Sequence, residues 1–335
     1  MYSTSSSFSE EEEEKEEKEV RIVSSAENAT AKRIAKLRTS KTFREKEKSV
    51  VIVGSTVLRE ILQAGALGAS EEKDEKKKKT IRVKSLLFAM EKKTSRDGES
   101  YDDSQTTTTR DALRRDIAAA DIAGGEEAKK RTEYYATAKV MKKLAGVENA
   151  DGIDLVAELE MPEIREVSEF MMQEKRIEKV LCLDGVQDPG NVGTLLRTAE
   201  AFGFDAVGLG PKTCDPFNDK CVRSSKGTAF RMQMFTWKTN EEFFEGLVNG
   251  GTFELKRNVL AAMLAGENCA EVARELDDGN NSNNKVCLVL GSEGQGVSEE
   301  IASSIRAVTI PTPGVTESLN VAVAGGILMS SLTVR

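Results

Sequence analysis

The chain has no histidine, one tryptophan, six prolines and five cysteines among its 335 residues. Without imidazole, a Ser–His or Cys–His pair has no base, and His-based zinc sites have no ligands. Cys182, Cys214, Cys221, Cys269 and Cys287 are odd in number and show no CxxC spacing, which removes a paired disulfide framework and a four-cysteine zinc site as well. Three of them lie in apolar surroundings and are read as small core residues. No apolar run approaches the roughly 18 residues of a membrane span, and no apolar stretch of the signal-peptide kind follows Met1. The expectation is a soluble, intracellular protein with no metal and no membrane partner. It is cytoplasmic by default, or chloroplast or mitochondrial if a longer leader precedes Met1.

The net charge of −8 is uneven: residues 10–19 hold eight Glu and two Lys and contribute −6 of it. Together with the serines before it, residues 1–19 read as a solvated acidic tail too poor in apolar residues to order itself.

Residues 20–165 read as a small α/β domain. Its first part, 21–48, alternates Ile34 and Leu37 with Lys32, Arg33, Lys36, Arg38, Lys41 and Arg44, the pattern of a basic amphipathic helix. Such crowding of Lys and Arg suits RNA phosphates as well as it suits a solvated helix face. A β-branched strand (SVVIVG, 49–54) then leads into a helical stripe of Val57, Leu58, Ile61 and Leu62, with Gly65 as a stop. A second strand follows at 81–90. Residues 92–131 are polar and low in complexity, an insertion with room for a helix at 110–120. Helix, loop and strand resume over 136–162, and 166–178 reads as a linker after Pro162. From 179 to 335 short apolar runs alternate with helical stripes, which implies a mainly parallel sheet covered on both faces.

Three segments of this last part are punctuated by glycine and proline, and each follows an apolar run: DPGNVGTLLR (188–197), LGSEGQG (290–296) and IPTPGVTESLNVAVAGG (310–326). Loops at the carboxyl ends of parallel strands are where open α/β sheets bind ligands. In the first, Asn191 suits a helix cap or a ligand contact. Arg197 falls off the apolar stripe of Val192, Leu195, Leu196 and Ala199, facing a cleft or a surface partner. The second has G-x-x-G-x-G spacing, neither the dinucleotide fingerprint nor a P-loop. Its Glu293 would repel a pyrophosphate but suits ribose hydroxyls, a cation or plain solvent. The third opens a helix at Ser318 whose Ala322, Ala324, Gly325 and Gly326 are small. Glycine inside a helix costs roughly 1 kcal/mol relative to alanine, so another element packed tightly against it must compensate.

Together the segments resemble the SpoU/TrmH family of RNA ribose methyltransferases, of the SPOUT class. Its first motif, N-x-G-x-x-x-R, is matched by Asn191, Gly193 and Arg197. The second, L-G-x-E-G-x-G, is matched by Leu290, Gly291, Glu293, Gly294 and Gly296. The third is matched by Ile310, Pro311, Gly314, Glu317, Ser318, Leu319, Asn320 and Val321. Residues 222–232, which include Arg223, look like the family's intermediate R-A-S-x-G segment. The first domain more weakly resembles the ribosomal-protein-like RNA-binding domain of many members, departing at Val53, where Glu is common, and in the insertion.

The resemblance implies a deep trefoil knot, a homodimer through the C-terminal domain, and S-adenosyl-L-methionine as cofactor. The cofactor would be held by Leu290, Gly291, Glu293, Gly294, Gly296, Ile310, Pro311, Gly314, Ser318 and Leu319. It further implies 2'-O-methylation of a ribose in structured RNA, ribosomal RNA before transfer RNA, with Arg197, Asn191, Ser318 and Asn320 as catalytic residues. RNA contacts would come from Lys32, Arg33, Lys36, Arg38, Lys41, Arg44 and Arg223. The alternatives are a catalytically inactive RNA-binding homologue and a nicotinamide dehydrogenase. The latter lacks its glycine fingerprint here.

Overall fold

The structure is a computed structural model and describes residues 21–71, 81–90, 112–119, 131–148, 152–174, 176–249, 253–277, 285–314 and 318–333. The acidic tail, most of the 92–131 insertion, and Glu317 of the third motif lie outside the described residues.

The N-terminal sheet has the order β1-β4-β3-β5-β2. It is built from β1 (Arg21–Val23), β2 (Ser49–Val53), β3 (Val83–Ala89), β4 (Thr132–Ala136) and β5 (Leu155–Glu160). β1, β4 and β3 run parallel, whereas β5 is antiparallel to both β3 and β2. Where one basic helix was expected over 21–48, the chain forms β1 and two helices, α1 (Ala29–Thr39) and α2 (Lys41–Glu47). Ser40 makes the break. It ends α1 in an extended conformation, and its side chain then accepts the Phe43 N–H at 3.3 Å to cap α2. Gly65 does not stop its helix either: α3 (Ser55–Glu71) runs past it, since a lone glycine only weakens a helix that packs well. Within the expected insertion, residues 112–119 form a helix, α4, which buries Leu113 and Ile117 against the core and ties Asp116 to Arg59 at 2.8 Å.

The C-terminal sheet is parallel in every registered pair, with order β12-β10-β11-β7-β8-β9-β6. Its strands are β6 (Arg165–Glu166), β7 (Lys179–Asp184), β8 (Ala206–Leu209), β9 (Gln233–Thr236), β10 (Val259–Asn268), β11 (Val286–Gly291) and β12 (Arg306–Thr309). Residues 166–178 are not a linker. They complete β6, which pairs with β9, and form α6 (Val167–Gln173), whose Phe170 stacks on Phe235 at 5.1 Å and is fully buried. The charged residues of this stretch hid the apolar Val167, Phe170 and Met171 that it buries.

The helices between strands are α5 (Ala138–Ala145) in the first part, then α7 (Pro189–Ala201), α8 (Asp219–Ser224), α9 (Asn240–Asn249), α10 (Cys269–Leu276), α11 (Glu299–Ser304) and α12 (Val321–Thr333). The two sheets share one apolar core, in which Val50, Ile52 and Ile61 join Phe217, Val222 and Phe230, and charge pins the same junction. Arg44, only 3% exposed, donates to the Leu37 and Arg38 carbonyls and to the Asp215 carboxylate, and Lys226 meets Glu60 at 3.7 Å. Four cysteines, Cys182, Cys221, Cys269 and Cys287, are buried, and Cys214 is partly so.

Candidate active site

β7 lies between β11 on one side and β8 on the other, so the connections leaving β7 and β11 diverge at this point of the sheet. A crevice opens at the carboxyl ends of strands where connections diverge in this way. Three loops reach it: the start of α7 after β7, the loop after β11, and the segment between β12 and α12. Asp184, at the end of β7, accepts the Ser298 N–H at 2.8 Å and ties the far side of the β11 loop to the sheet.

The N-cap of α7 is Asp188, not Asn191. Asp188 accepts the Asn191 N–H at 3.0 Å, and Pro189 takes the first turn, where its missing N–H costs nothing. Lys220 pairs with Asp188 at 2.9 Å, and that hydrogen bond, with the Asn191 N–H, holds the Asp188 carboxyl below the usual carboxylate range. Relieved of capping, the Asn191 side chain reaches across the crevice. It donates to Glu293 Oε1 at 2.7 Å and accepts from Asn320 Nδ2 at 3.2 Å. One residue from each motif segment thus enters a single hydrogen-bonded chain, Glu293–Asn191–Asn320.

Asn320 has a second duty. Helix α12 begins at Val321 rather than at Ser318, and Asn320 is its cap, accepting from the Ala322 N–H at 2.9 Å and the Val323 N–H at 3.3 Å. Ser318 and Leu319 precede the helix in an exposed stretch without regular secondary structure. Pro311 and Gly314 are exposed as well, and Ile310 is partly buried against the core.

Glycines set how closely these pieces approach. At Gly291 a Cβ would lie 1.9 Å from the Gly296 carbonyl carbon and 2.0 Å from the Val297 nitrogen, so no side chain fits. The loop is pinched shut there by reciprocal hydrogen bonds, Ser292 N–H to Gly296 O at 3.0 Å and Gly296 N–H to Ser292 O at 2.9 Å. Gly294 and Gly314, by contrast, have nothing within 4 Å of that position. Leu290 is buried and packs toward Gly325 of α12, where a Cβ would come within 2.7 Å of Leu290 and 2.4 Å of Leu195. This is the tight packing the small residues of α12 imply.

Arg197 is exposed two turns along α7 and has no hydrogen bond or ion pair among the described residues. Thr194 and Thr198 flank it, each bonding back to a carbonyl of its own helix.

The basic residues expected at RNA divide. Lys32, Lys36 and Lys41 are exposed, and Arg38 and Arg223 are partly engaged with Asp219 at 3.8 and 2.9 Å. Arg44 is a buried joint between the sheets, and Arg33 is bound to Glu47 at 3.0 Å and Glu158 at 2.8 Å, so neither is free for a phosphate. Asp188, Lys220 and Asp184 were missed in the sequence, although Asp followed by Pro at a helix start carries the cap signal. No cluster of three His, Cys, Asp or Glu able to hold a metal occurs among the described residues. None of their helices is long and apolar enough to cross a membrane.

An all-parallel sheet with motif loops knitted together at its carboxyl edge defines an α/β protein with a small-molecule site. Among solved structures, an AdoMet-bound rRNA methyltransferase from Sinorhizobium meliloti shares this fold over 93% of the chain and 97% of its own length, with a TM-score of 0.65 at 22% identity. The AviRb methyltransferase of Streptomyces viridochromogenes, solved with AdoMet, shares it over 91% and 97%, with a TM-score of 0.66 at 17% identity. In sequence, residues 178–330 match the model of the SpoU rRNA Methylase family. The 23S rRNA (guanosine(2553)-2'-O)-methyltransferase RlmP of Bacillus subtilis is 35% identical over 189 residues, which are 54% of this chain and 69% of that protein. The chain belongs to the SpoU methylase family.

Proposed function

We propose that the protein is an S-adenosyl-L-methionine-dependent methyltransferase that modifies a ribose 2'-hydroxyl in structured RNA, ribosomal RNA before transfer RNA. The observation that carries this reading is the Glu293–Asn191–Asn320 chain, whose Asn191 shares α7 with an exposed Arg197 that has no partner among the described residues. The name of the RlmP relative supports the 2'-hydroxyl and the ribosomal substrate.

The crevice fits the cofactor in its backbone. Gly294 and Gly314 leave open space where side chains would stand, so the loops after β11 and β12 present uncovered peptide groups. Residues 290–296, Ile310, Pro311, Gly314, Ser318 and Leu319 would hold it. When bound, S-adenosylmethionine supplies an electrophilic methyl on a sulfonium sulfur.

The rest falls to side chains. The Arg197 guanidinium carries only N–H donors and is a poor base. It binds an RNA phosphate and stabilises the negative charge that develops on the ribose oxygen. The hydroxyl proton leaves as the methyl arrives, and no histidine exists to take it. Asn191 is fixed by partners on both sides and orients the hydroxyl, and Asn320 fixes the start of α12 beneath it.

The same reading gives the C-terminal domain, residues 179–335, a deep trefoil knot and a homodimer interface. Exposed Val323 and Ile327, one turn apart on α12, support the latter. The first domain binds RNA through Lys32, Lys36, Arg38 and Lys41, and the C-terminal domain adds Arg223 from α8.

Labelled methyl from S-adenosylmethionine, offered with ribosomal and transfer RNA pools, tests the reading. Alkali-resistant label in ribosomal RNA is expected. Cofactor binding without labelling of either pool would favour the inactive, RNA-binding alternative.

A further inference from the structure

In the first domain the sheet face beneath α1 changes character within one cross-strand row. Tyr134, Leu87 and Val156 form one row, with Leu87 and Val156 fully buried. The next row, one step along the same face, reads Thr132, Ser85 and Glu158. Glu158 is 4% exposed, yet it opens on a cavity of about 420 Å³ between this row, Tyr134, Lys84 and the first turns of α1. That volume lies in the range of small-ligand pockets, roughly 300–1,000 Å³.

Stability does not explain the arrangement. A buried ion pair is commonly no better than apolar residues of the same size, so apolar residues at positions 33 and 158 together would extend the core, whereas removing Glu158 alone would strand Arg33. The carboxylate is nonetheless kept ionised. Burial alone would raise its pKa, and hydrogen bonds from Arg33, Ser49 and Ser85 more than offset that and lower it.

The charges around the cavity are already matched. Arg33 is held by Glu158 through two hydrogen bonds of 2.8 and 2.9 Å and by Glu47 at 3.0 Å. Lys84 meets three oxygens, the Lys48 carbonyl and Ser49 Oγ at 2.7 Å and the Glu47 carbonyl at 3.3 Å, which accounts for its three N–H groups. A phosphate would therefore find no free cation there. What remains for a ligand is neutral or accepting: the Tyr134 ring, the Thr132 hydroxyl and the second lone pair of Glu158 Oε1, since Oε2 already accepts from both Arg33 and Ser85.

We propose that this cavity receives one unpaired, splayed-out RNA base, stacked on Tyr134, and prefers a base with an amino donor for Glu158 to accept. Proteins read single-stranded RNA in this way, by stacking unpaired bases on aromatic rings and hydrogen-bonding their edges. The proposal rests on the reading of the first domain as RNA-binding.

The test is fluorescence anisotropy of the full-length protein with 5'-labelled RNA decamers of cytidine and of uridine, over a salt series. Wild type should bind the cytidine decamer about tenfold more tightly, the size of one specific base contact. Tyr134→Leu, and separately Thr132→Trp to narrow the cavity, should abolish the difference between the two decamers without changing the salt slope. Lys36→Ala should weaken both equally and reduce the slope by about one. Thermal melts and S-adenosylmethionine binding identify a misfolded variant, in which case the other variant decides. Equal affinity of wild type for the two decamers, or a preference that survives in the folded variants, overturns the pocket while leaving the RNA-binding reading intact. No binding of either decamer by wild type overturns both.

Discussion

Replacing Gly291 by alanine isolates the contribution of the β11 loop. The added Cβ would lie 1.9 to 2.1 Å from three backbone atoms of Gly296 and Val297, and backbone, unlike a side-chain tip, cannot swing away. The loop must open, which breaks the reciprocal hydrogen bonds between Ser292 and Gly296. At roughly 1 kcal/mol net for each, the loss is about 2 kcal/mol. For a domain of this size that lowers the melting temperature by about 4–8 °C. Gly294→Ala, three residues on, meets nothing within 4 Å and should melt like wild type. Calorimetry of the two variants side by side gives the comparison, and isothermal titration with S-adenosylmethionine should show at least a tenfold loss for Gly291→Ala. Equal melting temperatures for the two variants would refute the close-approach argument, since propensity alone treats the glycines alike.

Other substitutions separate structural from catalytic roles. Asn320→Asp keeps the cap of α12 but loses the donor to Asn191, so it should melt within about 0.5 kcal/mol of wild type and lose methyl transfer. Asn320→Ala should lose about 1 kcal/mol as well, seen as a lower urea midpoint. Arg44→Ala leaves Asp215 without its buried partner and should cost about 3 kcal/mol in urea unfolding. Burial, and then the neighbouring Asp215, push the Cys214 thiol up to about 11. Because the thiolate is the reactive form, alkylation of Cys214 should be slow at pH 8 and accelerate as the pH rises toward 11, read by mass spectrometry. Acceleration complete by pH 9 would contradict that environment.

Much of the C-terminal half was legible because its strands are continuous apolar runs and its turns carry Gly and Pro. Helix α10 falls at the residues its stripe marks, Cys269–Leu276. The three loops were also legible, but their connection was not. Periodicity locates Asn191 on the polar side of α7, and only the fold brings residues 102 and 129 positions away to its amide. The cap was misassigned because Asp188 and Asn191 are both good cap residues, and Pro189 decides between them by fixing the first turn. In the first domain β4 was hidden at the end of a polar stretch, since Thr132 and Tyr134 line the cavity and Glu133, like them, is only partly buried. The loss of Arg44 from the RNA-binding set has a similar origin: a run of basic residues does not reveal which member faces an acid across a domain boundary.

The central claim is that Arg197 acts on the substrate and not on the fold or the cofactor. It is tested most directly by comparing wild type with Arg197→Ala for S-adenosylmethionine affinity and for transfer of labelled methyl to ribosomal RNA. The account predicts unchanged melting and cofactor affinity within a factor of about two, with transfer reduced at least a hundredfold, the scale of one preorganised donor to a developing oxyanion. Transfer that persists at the wild-type rate in the variant would contradict it.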